Sequence, residues 1–399
     1  MTARGGAPPA VACPACGAPA SPPCYAPPPV PVNNTLLLPD RAAALAVPRG
    51  TLALAACPAC GLVANLAFDP ALPAYGAGYE ESQGHSPRFR EYADALAARL
   101  VDAHGMRDRI VLEIGCGKGE FLAALVAAGA AGGLGVDPAW VPGRLDARAD
   151  GAALGFIPAN FRPPHAASPV GAVVCRHTLE HIGPVRDFLR TLRGALGERT
   201  DIPVCFEVPD SARILREGAF YDTYYEHAAY FQAGSLARLF RACGFDPVAL
   251  TREYDDQYLV LVAYPGAGDG APLPLEESPA AAVALAADFA ATTAGALAAW
   301  RARLDAWAGA GRAVAVWGGG SKTTAWLAAL GAAPAIATVV DLNPHKHGRW
   351  LPGLDRRVKA PSALVVTRPD VVILMNPIYR AEIARDLAAM GLAPALVDV

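Results

Sequence analysis

The run Ile110 to Pro138, IVLEIGCGKGEFLAALVAAGAAGGLGVDP, leaves the chain few ways to fold. Apolar Val111 and Leu112 end on Glu113, and glycines follow at alternate positions (Gly115, Gly117, Gly119). Phe121, Leu122, Leu125 and Val126 then recur at helical spacing, and a second short apolar run closes on Asp137. This is strand, glycine turn, helix, strand: one βαβ unit of a parallel sheet. Glycine is required where the chain turns sharply out of the strand and a ligand approaches bare backbone. The turn reads G-x-G-x-G, not the G-x-G-x-x-G of dinucleotide folds, and alone it leaves the ligand open.

A chain of 399 residues is too long for one ordinary core, so two or three domains are expected, and an apolar fraction of 53% supplies them. The net charge of −3, with no basic run, argues against a nucleic-acid partner. No apolar stretch of membrane-spanning length is free of charges, prolines or glycines, and the opening MTARGGAPPA lacks the apolar core of a signal peptide. The expectation is a soluble cytoplasmic protein acting on a small molecule, with no membrane partner. The sequence is silent on oligomeric state.

Nine cysteines, four of them in two C-x-x-C pairs, suit thiolates kept reduced for a metal. Cys13-Pro-Ala-Cys16-Gly and Cys57-Pro-Ala-Cys60-Gly each put two sulfurs on a tight turn, and together they offer the four ligands of a closed, structural Zn²⁺ site. Residues 1–77 therefore read as a small zinc-binding domain, proline-rich and poor in core, that takes most of its folding free energy from the metal.

Residues 78–265 carry the sheet. Ser86-Pro87 opens a helix through Phe89, Tyr92, Leu96 and Leu100, which Gly105 can end. The chain after Asp137 reads as irregular until the strand Val170 to Cys175, which runs into Arg176 and His177. His177, Leu179, Glu180 and His181 then fall at a strand's carboxyl end, where ligands meet a parallel sheet; either histidine also suits a bond to a loop carbonyl. The strand Val204 to Val208 precedes a polar and aromatic cluster, Phe220 to Phe231, with Tyr221, Tyr224, Tyr225, Tyr230, Glu226 and His227. Tyr230 and Phe231 read as core-facing anchors before the helix Ser235 to Cys243, and Pro247 to Tyr254 with Tyr258 to Tyr264 as a closing hairpin.

Residues 266–399 begin with a linker, then an alanine-rich helix from Ser278-Pro279 to Trp307. A second βαβ unit follows: Val314 to Trp317, Gly318-Gly319-Gly320-Ser321-Lys322-Thr323, and Ala337 to Val340 ending on Asp341. Lys322 and the helix N-terminus favour an anion there. The loop departs from the dinucleotide pattern, which counts against a dehydrogenase.

The E-x-G-x-G-x-G spacing resembles the first motif of S-adenosylmethionine (SAM) methyltransferases. With the two C-x-x-C-G knuckles, H-x-L-E-H after the fourth strand and Y-x-E-H-x-x-Y-F, nearly the whole chain resembles the bacterial sugar C-methyltransferases of deoxysugar biosynthesis. The resemblance implies an α/β fold: a class I SAM-methyltransferase Rossmann-like domain between the zinc-binding domain and a second Rossmann-like domain. It implies SAM held by Glu113, Gly115, Gly117, Asp137, Pro138 and His177, with Asp137 on the ribose hydroxyls. The implied substrate is a nucleotide-linked 4-keto-6-deoxy sugar, contacted by Tyr79 and Lys322 and methylated at the carbon next to the ketone. His227 would be the base, with Tyr224 on the enolate oxygen, Glu226 orienting imidazole or sugar, and His181 beside them. Imidazole suits that task independently, being neutral near pH 7. The entrance segment Tyr79 to Ser86, the stretch Asn376 to Ile383 and the C-terminal glycine loop depart from the family pattern. Another acceptor, including one methylated on oxygen or nitrogen, therefore stays open; a protein that only binds nucleotide is disfavoured by the Glu113, Gly115, Gly117 and Asp137 set.

Overall fold

The computed structural model describes residues 11–145, 153–167, 169–331 and 333–399, so the opening MTARGGAPPA lies outside the described residues. Its largest sheet has seven strands in the order Phe245–Glu253, Tyr258–Pro265, Val204–Pro209, Val170–Arg176, Ile110–Ile114, Gly132–Val136, Leu154–Ile157. All pairings are parallel except those made by Tyr258–Pro265, which runs antiparallel to both neighbours. This is the class I methyltransferase arrangement. Val111, Leu112, Val173 and Val174 are buried because helices cover both faces, which is why these strands read as unbroken apolar runs. Strand order reverses between Ile110–Ile114 and Val170–Arg176, and a crevice opens beyond their carboxyl ends.

Two local readings carry over to the structure. Ser86 caps the helix Pro87–Ala103 by accepting from the Phe89 N–H at 3.3 Å, and Leu96, Leu100 and Val101 are buried under it. The hairpin Phe245–Glu253 with Tyr258–Pro265 finishes the sheet. Two others are corrected. Leu154–Ile157 is an edge strand where irregular chain was expected. The single alanine-rich helix is two, Pro279–Ala287 and Phe289–Gly309, meeting at Asp288. By length and composition alone Pro279–Gly309 could cross a membrane. Its bulky side chains instead pack on protein: Phe289 lies 4.9 Å from the Tyr25 ring and Trp300 5.1 Å from that of Trp326.

The N-terminal segment has little core of its own. Leu54–Ala56 and Val63–Asn65 pair with each other, and Ala229–Tyr230 adds a third strand from the aromatic cluster. Cys13, Cys57 and Cys60 pack into the same apolar core as Leu112, Phe206 and Phe240. The C-terminal part holds a five-stranded sheet, Val358–Lys359, Ile336–Val340, Val314–Trp317, Val371–Leu374, Ala395–Asp398, parallel throughout. That is the second Rossmann-like unit.

Candidate active site

The glycine turn is built as its spacing requires. Gly115, Gly117 and Gly119 have φ of +73°, +52° and +83°, a region L side chains rarely adopt. Asp137, ending the next strand, clamps the turn: its Oδ2 accepts from the Gly117 N–H at 2.8 Å and its Oδ1 from the Ala139 N–H at 2.6 Å. Each oxygen keeps a lone pair for a further donor such as a ribose hydroxyl. Burial raises the Asp137 pKa and these two N–H groups oppose the rise. Beneath the turn Glu113 is buried, its Oε2 lacks a hydrogen-bond partner, and burial pushes its pKa to about 8. Left-handed backbone, a doubly anchored acid and an unpaired buried oxygen together fit the amino-acid and ribose ends of SAM.

Lys118, inside the turn, is buried and donates to the carbonyls of Tyr79 at 2.8 Å and Ala139 at 2.7 Å. It also lies 3.4 Å from Glu81. The entrance segment is thereby tied to the turn, and Glu81 overhangs Gly117. Glu80, fully buried, accepts from Arg144 at 2.6 Å and from Asn343 of the C-terminal unit at 2.8 Å.

One cleft of about 690 Å³ joins all three parts of the chain. It is lined by Gly115, Gly117, Asp137 and Pro138, by His177, His181 and His227, and by Gly318, Gly320 and Lys322 of the second glycine loop. That loop repeats the first clamp: Asp341 Oδ2 accepts from the Gly319 N–H at 2.6 Å and Oδ1 from the Asn343 N–H at 2.8 Å.

The strand Val170–Arg176 delivers two groups to the floor. Arg176 is buried, ion-paired with Glu207, and its guanidinium lies 4.0 Å from the Phe121 ring centroid. His177 adopts φ +48°, uncommon for a residue with a side chain, and its Nε2 sits 3.2 Å from Glu207. Glu207 also accepts from Tyr92 at 3.0 Å; burial pushes its pKa up, but the charges and hydrogen bonds of Arg176 and His177 together hold its carboxyl far below the usual range.

The imidazoles of His181 and His227 meet edge to face, ring centroids 4.8 Å apart. Burial lowers both pKa values, His181 to about 4 and His227 well below the ordinary 6.5, so both are neutral at pH 7. His181 Nδ1 shares a hydrogen bond with Tyr75 Oη at 3.1 Å. A carboxylate oxygen of Glu180 and one nitrogen from each imidazole lie within 4.8 Å of one another.

The remaining residues singled out from the sequence take unforeseen partners. Glu226 accepts from Asn33 Nδ2 and from the Asn34 N–H, both at 3.0 Å, so its carboxylate faces the N-terminal segment, not the imidazole. Burial pushes its pKa to about 7. Tyr224 donates to Asp222 at 2.8 Å, and Asp222 also pairs with Lys322 at 2.9 Å and Arg213 at 2.7 Å. Tyr224 and Lys322 thus join the aromatic cluster to the second glycine loop. Tyr79 lines the cleft beside Tyr75, ring centroids 5.3 Å apart. Tyr230, buried, bolts the cluster by accepting from the Tyr224 N–H and donating to its carbonyl, both at 2.9 Å. Sequence reasoning missed Tyr75, Lys118 and Asp222. Lys118 stood inside the glycine motif, and Tyr75 lies four residues before Tyr79.

The four knuckle thiols converge as a set. Cys13 and Cys60 sulfurs are 3.6 Å apart, Cys16 and Cys57 3.5 Å, and all four lie within 4.8 Å of one another. Zinc–sulfur bonds of about 2.3 Å put tetrahedral thiolates about 3.8 Å apart, so the donor set fits zinc.

Residues 85–250 match the family described as "Methyltransferase domain" and residues 276–393 that described as "C-methyltransferase C-terminal domain". Comparison with curated protein sequences gives no match. Among solved structures, the Burkholderia thailandensis 1,6-didemethyltoxoflavin-N1-methyltransferase with bound S-adenosylhomocysteine overlaps 46% of this chain and 82% of its own, at 22% identity and TM-score 0.36. A Synechocystis magnesium protoporphyrin IX methyltransferase overlaps 44% and 83%, at 17% identity and TM-score 0.36.

Proposed function

We propose that this chain, a SAM-dependent methyltransferase with a C-methyltransferase C-terminal domain, methylates the carbon next to the ketone of a nucleotide-linked 4-keto-deoxysugar. The observation that carries the reading is the neutral pair of half-buried His181 and buried His227, which shares one cleft with the Gly115 to Asp137 turn. Methylation of oxygen or nitrogen has less need of a base, because such atoms are already nucleophilic. A carbon next to a ketone must first lose a proton, and a neutral imidazole can take it.

SAM, when bound, supplies an electrophilic methyl group and accepts the S–CH₃ electron pair as that bond breaks. His227 removes the proton, and the C–H pair moves into the enolate. The enolate carbon then bonds to the methyl, and the proton on His227 passes to solvent. Glu113, Gly115, Gly117, Asp137 and Pro138 would hold the donor, with His177 at the floor. The second glycine loop with Lys322, and Tyr79 at the entrance, would hold the sugar nucleotide. Cys13, Cys16, Cys57 and Cys60 would carry a structural zinc ion. No step needs the metal, since four thiolates close its coordination shell. The reaction places the enzyme in sugar-nucleotide metabolism, in the cytoplasm.

Incubation with labelled SAM and a panel of thymidine-diphosphate keto sugars, with mass spectrometry of the products, tests the reading. A one-methyl gain in a sugar nucleotide is expected, abolished by His227→Ala with SAM affinity nearly unchanged. Turnover only on a different acceptor class, or full activity in His227→Ala, would overturn it.

A further inference from the structure

A base that removes a carbon-bound proton works best with a pKa near the working pH, yet burial drives the His181 and His227 imidazoles far below it. Something in the cleft must favour the imidazolium when it forms. The nearby carboxylates divide clearly. Glu226 has both oxygens held by Asn33 and Asn34. Asp222 is taken by Lys322, Arg213 and Tyr224. Glu207 is bound to Arg176 and Tyr92. Glu180 differs: it is buried, its Oε2 has no hydrogen-bond partner, and a carboxylate oxygen lies within 4.8 Å of a nitrogen on each imidazole.

Building on the reading of His227 as the base, we propose that Glu180 is a positioning residue that serves as counter-charge to the His181–His227 pair. It makes His227 basic enough to remove the substrate proton and holds the imidazolium until the proton leaves. The short helical turn Leu179–His181 explains the placement, since it sets Glu180 and His181 side by side opposite the aromatic loop. Glu180 enters the step ionised, its own proton already lost to solvent, and no bond changes there, so the balance is unaltered: the C–H proton ends in solvent and the S–CH₃ pair on sulfur.

Other groups face the trio. Glu207 acts on Glu180, His177 Nδ1 lies 3.9 Å from it, and Glu180 in turn acts on Cys175 and Tyr75. On His227 act His177, Asp222 and the rings of Tyr224 and Tyr230. Burial pushes the Glu180 pKa to about 8. The counter-charge is therefore the form in which Glu180 has given its proton to solvent, populated as pH rises through that value, and acid and imidazoles titrate as a coupled unit.

Two readouts test this on the full-length, zinc-loaded protein with S-adenosylhomocysteine present. The first needs no sugar: NMR titration of ¹³Cε1-labelled histidines. Ionisation of Glu180 puts a unit charge within 4.8 Å of a nitrogen on each ring, so the His181 and His227 signals should carry a second titration step near pH 8, which Glu180→Gln should remove. Glu180→Asp should restore most of it. An unchanged titration in Glu180→Gln, with the fold intact by circular dichroism, overturns the inference whatever the substrate. The second is the pH profile of solvent-deuterium exchange into a thymidine-diphosphate 4-keto-6-deoxysugar. Glu180→Gln should slow exchange at least 10-fold at pH 8 and move the acidic limb downward by at least about 1 unit. A uniformly slower profile with an unmoved limb marks a merely structural residue and overturns the inference. Absence of exchange by the wild-type enzyme counts against the keto-sugar reading alone, and the NMR titration still decides the role of Glu180.

Discussion

Replacing Gly115 by alanine tests whether the first glycine turn is shaped for a ligand or only for a bend. A Cβ at Gly115 would lie 2.7 Å from Cβ and Cγ2 of Thr178, and closer still to its Oγ1. Carbon atoms rest about 3.5–4.0 Å apart, so turn or threonine must move by about 1 Å. Thr178 resists, because its hydroxyl donates to the Arg176 carbonyl at 2.9 Å. Overpacking of this kind costs about 1–3 kcal/mol, and φ of +73° adds about 1–2 kcal/mol for a residue with a Cβ. Gly105 separates the two terms: its φ is +69° and nothing lies within 4 Å of its would-be Cβ, so Gly105→Ala should lose only the backbone part, about 1–2 kcal/mol. Urea unfolding of both variants should differ by the contact term, about 1–3 kcal/mol. Calorimetry with S-adenosylhomocysteine should show near wild-type affinity for Gly105→Ala. For Gly115→Ala it should show at least about a tenfold loss, since misplacing one backbone hydrogen bond by 1 Å removes about 1.4 kcal/mol. Equal affinities in the two variants would refute the assignment of this turn to the donor.

Three further outcomes follow from the same geometry. Glu113 has a folded-state pKa raised to about 8 by burial, so the folded protein holds a proton the unfolded chain gives up above about pH 4.3. Its contribution therefore makes stability fall as pH rises from about 5 to 8, and Glu113→Gln should flatten that slope in urea midpoints taken at several pH values. Chelation, or Cys13→Ser, should release about one zinc per chain by atomic absorption and expose the core that Cys13 shares with Phe206 and Phe240, read as increased dye binding. Glu226→Gln, whose carboxylate holds Asn33 and Asn34, should destabilise by about 1–3 kcal/mol and leave the histidine titration in place; a moved titration would return Glu226 to the imidazole.

What could be read from the sequence was whatever neighbouring residues impose on one another. Three alternate glycines force a left-handed turn, Ser86-Pro87 starts a helix through its own N–H accounting, and each C-x-x-C knuckle sets two sulfurs within 4.8 Å on one turn. The strand Leu154–Ile157 escaped because an edge strand of four half-buried residues, one of them glycine, carries almost no periodic signal. The break at Asp288 escaped because alanine on both sides favours helix equally. The site divides along the same line. Histidines, tyrosines and acids could be picked out by type, but a side chain's task depends on its partner, and the partners are remote. Glu226 meets Asn33 across 193 residues, His181 meets Tyr75 across 106, and Asp222 meets Lys322 across 100. These long closures engage the Glu226 carboxylate and the Tyr224 hydroxyl elsewhere and leave Glu180, one residue from His181, as a buried carboxyl beside the two imidazoles with an oxygen to spare. The residue nearest the base in sequence and the residue best placed to serve it therefore differ, and the three-part fold makes that choice.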